Sequence, residues 1–140
     1  MRSSSSSPLF EGQTTTRKRR VLVIDDHDAG RKSLARLLEA RGYEVVAVND
    51  GASALEALQP PQIYDHILTD LRLPDLDGRD VVLAARQLVP VPGICLITGW
   101  DIDPDEVARL GVNGVFLKPL NVQDIVDKLE QITAKNLDPL

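Results

Sequence analysis

Apolar runs and amphipathic stretches alternate along the chain from residue 21 onward. Val21-Leu-Val-Ile24 is an unbroken apolar run rich in β-branched residues, closed by Asp25-Asp26. A run without polar alternation predicts a strand covered on both faces, as in a parallel sheet. Leu34, Leu37 and Leu38 recur at helical spacing, and Gly42 is placed to stop that helix. Tyr43 to Val48 reads as a second strand; Ala52, Leu55 and Leu58 mark a second helix, ended by Pro60-Pro61. Ile63 to Thr69 reads as the third strand, with Asp70 at its tip. Gly78 opens a helix that turns Val81, Val82 and Ala85 inward, and Ile94 to Ile97 forms the fourth strand. Asp103-Pro104 starts the next helix, with Pro in the first turn, and Gly111 closes it. Val115 to Leu117 is a short fifth strand. Asn121 can cap a last helix whose apolar positions are Val122, Ile125, Val126, Leu129 and Ile132.

The order is βα repeated five times. It predicts an α/β fold, a (βα)5 doubly wound five-stranded parallel sheet with helices on both faces. In such sheets the ligand crevice lies beyond the carboxyl ends of the strands. Asp25, Asp26, Asp70, Thr98 and Lys118 all fall at that edge.

Composition narrows the class. A length of 140 residues fits one domain with a core that needs no disulfide. A net charge of −5 argues against a surface built to coat nucleic acid. The single cysteine, Cys95, lies inside an apolar run and reads as a buried thiol, compatible with a reducing compartment. No apolar run approaches the ~20 residues needed to cross a bilayer, and the Ser-rich N-terminus lacks the apolar segment of a secretion signal; the expectation is a cytoplasmic protein. Residues 1–17 carry no periodicity and read as a disordered Ser/Thr-rich tail. The basic run Arg17-Lys-Arg-Arg20 reads as a solvated flank.

The acids carry the chemistry. Two like charges about 4 Å apart repel by on the order of 4 kcal/mol at an effective dielectric of about 20. Convergence of Asp25, Asp26 and Asp70 therefore calls for a hard cation, and Mg²⁺ is the usual partner of a few carboxylates plus water. One of the first two acids could instead cap the first helix. With a cation in place, Asp70 becomes a plausible phosphoryl acceptor, Thr98 a hydroxyl donor to phosphoryl oxygens, and Lys118 a compact positive charge for both.

Asp25-Asp26 after the first strand, Asp70 followed by Pro74 and Gly78, Thr98-Gly99 after the fourth and Lys118-Pro119 after the fifth together resemble the receiver domain of two-component response regulators. The resemblance runs over residues 18–135, with 136–140 a short tail. It implies a flavodoxin-like strand order 2-1-3-4-5 and a chemotaxis-regulator-like phosphoprotein. Asp70 would be phosphorylated by a histidine kinase or phosphotransfer protein. Mg²⁺ would sit on Asp26, Asp70 and the backbone carbonyl of Arg72, with Asp25 assisting, often through water. Thr98 and Lys118 would hold the phosphoryl oxygens, Thr98 moving inward on activation, and the bond before Pro119 would be cis. The chain departs from the family at Val115, where an aromatic switch residue is usual; Phe116 should point the other way. Arg72, two positions after the acceptor, is a variable site of the family. His27 reads as a surface or capping residue, His66 as a strand-edge side chain and Trp100 as part of the loop before the fourth helix.

Two other classes fit less well. An aspartyl-phosphate phosphohydrolase of the haloacid dehalogenase type wants an acid two residues after its nucleophile, where this chain has Arg72. A flavodoxin-like nucleotide binder wants a first turn rich in Gly, Ser or Thr, where this chain has Asp25-Asp-His-Asp28. Only eight residues follow Ile132. The expectation is thus a stand-alone regulator that switches a protein-binding surface, with no direct DNA binding; a receiver fragment of a larger regulator is the alternative. Pairing of two copies through the fourth helix, fifth strand and fifth helix, where Arg109, Val115, Gln123 and Lys128 lie, is expected to be weak or phosphorylation-dependent.

Overall fold

The computed structural model describes residues 17–137. The strands are β1 (Arg20–Ile24), β2 (Glu44–Val48), β3 (His66–Asp70), β4 (Gly93–Thr98) and β5 (Gly114–Leu117). They alternate with α1 (Asp28–Ala40), α2 (Gly51–Ala57), α3 (Gly78–Ala85), α4 (Pro104–Leu110) and α5 (Val122–Leu137). The sheet is parallel throughout, in the order β2-β1-β3-β4-β5. The tail expected over residues 1–17 lies outside the described residues except for Arg17, as do residues 138–140; α5 takes in residues 136 and 137.

The apolar segments Val21–Ile24, Ile67-Leu68 and Ile94–Ile97 lie in the three central strands. Every residue of β3 and β4 is buried, as is β1 after Arg20, whereas the edge strands β2 and β5 are only partly covered. Alternation along the strands divides the core into two. Leu22, Ile24, Ile67, Ile94 and Leu96 face α2, α3 and α4, packing with Ala54, Val81, Val82 and Leu110. Val21, Val23, Leu68, Cys95 and Ile97 face α1 and α5, packing with Leu34, Leu38, Ile125 and Leu129. Helix ends follow the residues read as signals. Asp103 accepts from the Asp105 N–H ahead of Pro104, Gly111 closes α4 at φ 71°, and Asn121 Oδ1 accepts from Gln123 and Asp124.

Several positions differ from expectation. Ile63 is 55% exposed and precedes β3 rather than opening it, because Tyr64 turns back to donate its hydroxyl to the Ala57 carbonyl at 3.1 Å. Leu37 is 45% exposed, since the buried stripe of α1 runs through Arg31, Leu34 and Leu38. The basic flank is not simply solvated. The Arg17 guanidinium donates to both oxygens of Asp65 at 2.9 Å, and Arg20 Nε donates to Glu44 at 3.1 Å.

His66, expected at a strand edge, opens a central strand and is buried under α5. Its Nε2 meets Thr133 Oγ1 at 3.1 Å, and its Nδ1 has no hydrogen-bond partner. Burial lowers the His66 pKa from 6.5 to about 4. A native pKa below the unfolded one means the unfolded chain takes up a proton that native His66 refuses. Stability should therefore be complete above pH 6.5 and fall as the pH drops toward 4, by on the order of 3 kcal/mol. Urea titrations over this interval check it, and His66→Leu should flatten the slope.

Candidate functional site

Asp70 ends β3 and is 6% exposed. Ile24 pairs with Thr69, so Asp25 follows β1 at the level of Asp70; its side chain is buried as well. Lys118 follows β5, tied by its backbone N–H to the Thr98 carbonyl at 2.8 Å. From there Lys118 Nζ donates to Asp70 Oδ2 at 2.9 Å and to Asp25 Oδ1 at 3.4 Å. One carboxylate oxygen from each of Asp25, Asp26 and Asp70 lies within 4.8 Å of the others, Asp26 being the exposed member. Three carboxylates against one ammonium leave the cluster two charges negative.

Burial raises the Asp70 pKa above the ordinary carboxylate value; Lys118 pulls it down, and the charge of Asp25 adds to the rise. Burial works against the Lys118 ammonium, but Asp70 and Asp25 outweigh it, and its pKa is raised. The amine is therefore firmly charged, while the carboxylate beside it is the strained partner.

The surrounding residues fix this geometry. His27 Nδ1 accepts from the Gly30 N–H at 3.0 Å, so His27 caps α1 and neither acid of the pair does. The His27 N–H donates to Asp25 Oδ1 at 3.0 Å. Buried Arg31 donates from Nη1 to the Asp25 carbonyl at 3.0 Å and pairs with Asp28. On the other side, the loop from Arg72 to Asp77 is pinned by Asp75. The two oxygens of Asp75 accept from the Gly51 and Ala52 N–H groups at 2.8 Å, and these bonds lower its pKa. Gly78 lies so close to β3 that a Cβ there would sit 2.2 Å from the Asp70 carbonyl oxygen.

Thr98 is buried, and its hydroxyl donates to the Trp100 carbonyl at 2.9 Å. Trp100 is 44% exposed, in the loop before α4, with the Arg72 guanidinium 4.1 Å above its ring. Val115 packs on the α4 side of the sheet and Phe116 on the α5 side, as strand alternation predicts. A groove of 370 Å³ lined by Ile102, Pro104, Val107, Val115 and Leu117 opens on the Val115 side. The Lys118-Pro119 peptide is cis.

The family model described as the response regulator receiver domain matches residues 21–130. The chain belongs to that family. Among similar receiver proteins, CpdR of Brucella abortus is 32% identical over 117 residues, 81% of this chain and 96% of its own. RpfC, a sensory/regulatory protein of Xanthomonas campestris, is 30% identical over 137 residues, covering 92% of this chain but only 18% of RpfC. A CheY-like receiver domain from Methanospirillum hungatei superposes with a TM-score of 0.78 at 25% identity, over 86% of this chain and 98% of that one. CheY4 of Vibrio cholerae gives 0.74 at 26% identity, over 83% and 99%. The chain is thus a flavodoxin-like receiver domain, a phosphoacceptor module of two-component signalling, and its acidic cluster fits that role.

Sequence reasoning missed three supports of the receiver site. Arg31 lies in phase with Leu34 and Leu38, and a basic residue in an apolar phase was a readable signal. Asp75 and the Arg72–Trp100 stack join loops distant in sequence and left none. Gly78→Ala must displace backbone rather than a side-chain tip, so it should lower stability by about 1–3 kcal/mol or more. A guanidinium titration that leaves the midpoint unmoved would remove the close approach from the account.

Proposed function

We propose that this receiver domain is a phosphorylation-controlled switch whose acceptor is Asp70. The observation that supports it most is the buried Asp70 carboxylate at the end of β3, with Lys118 Nζ at 2.9 Å and the Asp25 and Asp26 carboxylates gathered beside it. An Asp70 oxygen attacks the phosphorus of a phosphohistidine. The new P–O bond forms as the P–N bond breaks, and the imidazole, already protonated on its other nitrogen, leaves as the neutral base. The chain itself supplies position and charge rather than further covalent chemistry.

Three hard oxygen donors with excess negative charge suit Mg²⁺. Asp26, Asp70 and the Arg72 carbonyl would hold the ion directly, with Asp25 assisting through water. When bound, it neutralises charge on the phosphoryl oxygens. Lys118 then turns from the bare carboxylate to its phosphate, and Thr98 gives its hydroxyl to a second phosphoryl oxygen. We assign no further catalysis to the site beyond acquiring and losing this group.

The donor is a histidine kinase or phosphotransfer protein. A cleft of 430 Å³ opens beside Asp25 and Lys118, lined by His27, Leu34, Leu37, Pro119, Leu120 and Val122. Exposed Leu37 offers a donor helix an apolar contact within reach of the acceptor. The responding surface is that of α4, β5 and α5, and self-association through it is weak or follows phosphorylation. The chain spans 18% of one relative and 96% of another, so both a stand-alone regulator and a module of a larger one are in keeping with the match. Among the described residues no helix is long and apolar enough to cross a membrane. The single cysteine is buried, and burial pushes its thiol up to about 11, in keeping with a cytoplasmic setting.

Acetyl phosphate with Mg²⁺ should add one phosphoryl mass to the intact protein, and chelation of the metal should prevent it. Asp70→Asn should stay unlabelled; labelling of that variant at the wild-type level would defeat the assignment. Leu37→Glu should slow transfer from a phosphohistidine protein by about tenfold, the equivalent of losing about 1.4 kcal/mol of docking. It should slow transfer from acetyl phosphate far less. Equal slowing with both donors would take the cleft out of donor recognition.

A further inference from the structure

Arg72 and Trp100 occupy matching places on neighbouring loops. Arg72 lies two residues beyond Asp70 and Trp100 two residues beyond Thr98, and the strands that carry them, β3 and β4, are paired side by side. Trp100 is held at two points. Its ring lies under the Arg72 guanidinium at 4.1 Å. Its backbone is clasped by the Thr98 hydroxyl, which donates to the Trp100 carbonyl at 2.9 Å and accepts from the Trp100 N–H at 3.2 Å.

A phosphoryl group on Asp70 competes for both holds. The Thr98 hydroxyl has one proton and can direct it to the Trp100 carbonyl or to a phosphoryl oxygen, not to both. The Arg72 guanidinium is exposed, so its stack on the indole is a weak, solvated contact. A group with three acceptor oxygens and close to two negative charges, carried two residues away, is the stronger attractor for a planar fork of N–H donors. No aromatic side chain stands at position 115 to follow Thr98, since Val115 is there and Phe116 packs on the opposite face.

We propose that Trp100 is the side chain that reads the acceptor in this protein. Phosphorylation draws Arg72 and the Thr98 hydroxyl away together, and Trp100 is released with the loop that leads into α4. This rests on Asp70 being the acceptor. Trp100 is the only tryptophan of the chain, so its fluorescence reports the event without a label.

Acetyl phosphate and Mg²⁺ are added, the phosphoryl mass is confirmed on the intact protein, and acrylamide quenching of Trp100 is measured before and after. Quenching should strengthen on phosphorylation of the wild type. Arg72→Gln should begin near that stronger quenching and lose most of the further change. Asp70→Asn should show no change at all. Labelled wild type whose quenching is unaltered or weaker, or an Arg72→Gln protein that keeps the full change, overturns the role of Trp100 and leaves the acceptor assignment standing. Failure to gain the phosphoryl mass takes down both.

Discussion

Everything at the working end of this molecule turns on one electrostatic conflict. Asp25 and Asp70 are both buried, both acidic and close enough to share the ammonium of Lys118. Buried like charges are unfavourable unless something of opposite sign is held between them. A single lysine answers only part of the conflict once the exposed Asp26 is counted, so the site remains short of positive charge. That deficit is what makes it useful. Three carboxylate oxygens within 4.8 Å of one another, with one ammonium beside them, make a site that a hard cation would complete.

The parallel sheet is what makes such a conflict possible. It delivers Asp25, Asp70, Thr98 and Lys118 from four different strands to one rim, although they are widely spaced in sequence. Hydrophobic burial of β1, β3 and β4 anchors their backbones, and the strand ends have little freedom to drift apart. The local supports then remove the remaining slack. Arg31 fixes the carbonyl of Asp25, Asp75 staples the loop after β3 to the start of α2, and Gly78 lets α3 begin against the backbone of Asp70. Each works through the backbone rather than through the carboxylate oxygens. Position is thereby held firmly.

How legible was this in the sequence? The central strands were, because the apolar segments Val21–Ile24, Ile67-Leu68 and Ile94–Ile97 stand out, and each leads to a chemically distinctive residue, Asp25, Asp70 or Thr98. The caps at Asp103, Gly111 and Asn121 were legible because their chemistry is local. Errors fell where burial depends on neighbours. Leu37 satisfies helical spacing yet lies outside the packed stripe. His66 lies beneath α5, a helix that begins more than fifty residues later, and no local pattern announces that cover. The Arg72–Trp100 stack and the Asp75 staple are contacts between loops, so they follow from the fold and not from any periodicity.

The same distinction between local and borrowed order shows in how α4 is held. Of its seven residues only Leu110 is buried. Its remaining ties to α3 are polar: Arg79 pairs with Glu106, and Arg86 donates to the Leu110 carbonyl at 3.1 Å while its guanidinium fills the space beside Gly111. Partly exposed ion pairs hold weakly, about 0–1 kcal/mol each. An element fastened this way has a low local opening energy compared with α1 or α5, whose apolar stripes lock into the sheet. A modest change at its leading loop can therefore redirect α4 without disturbing the core. The strands and α5 hold the Asp70 carboxylate in place, and α4 is tied to them more loosely.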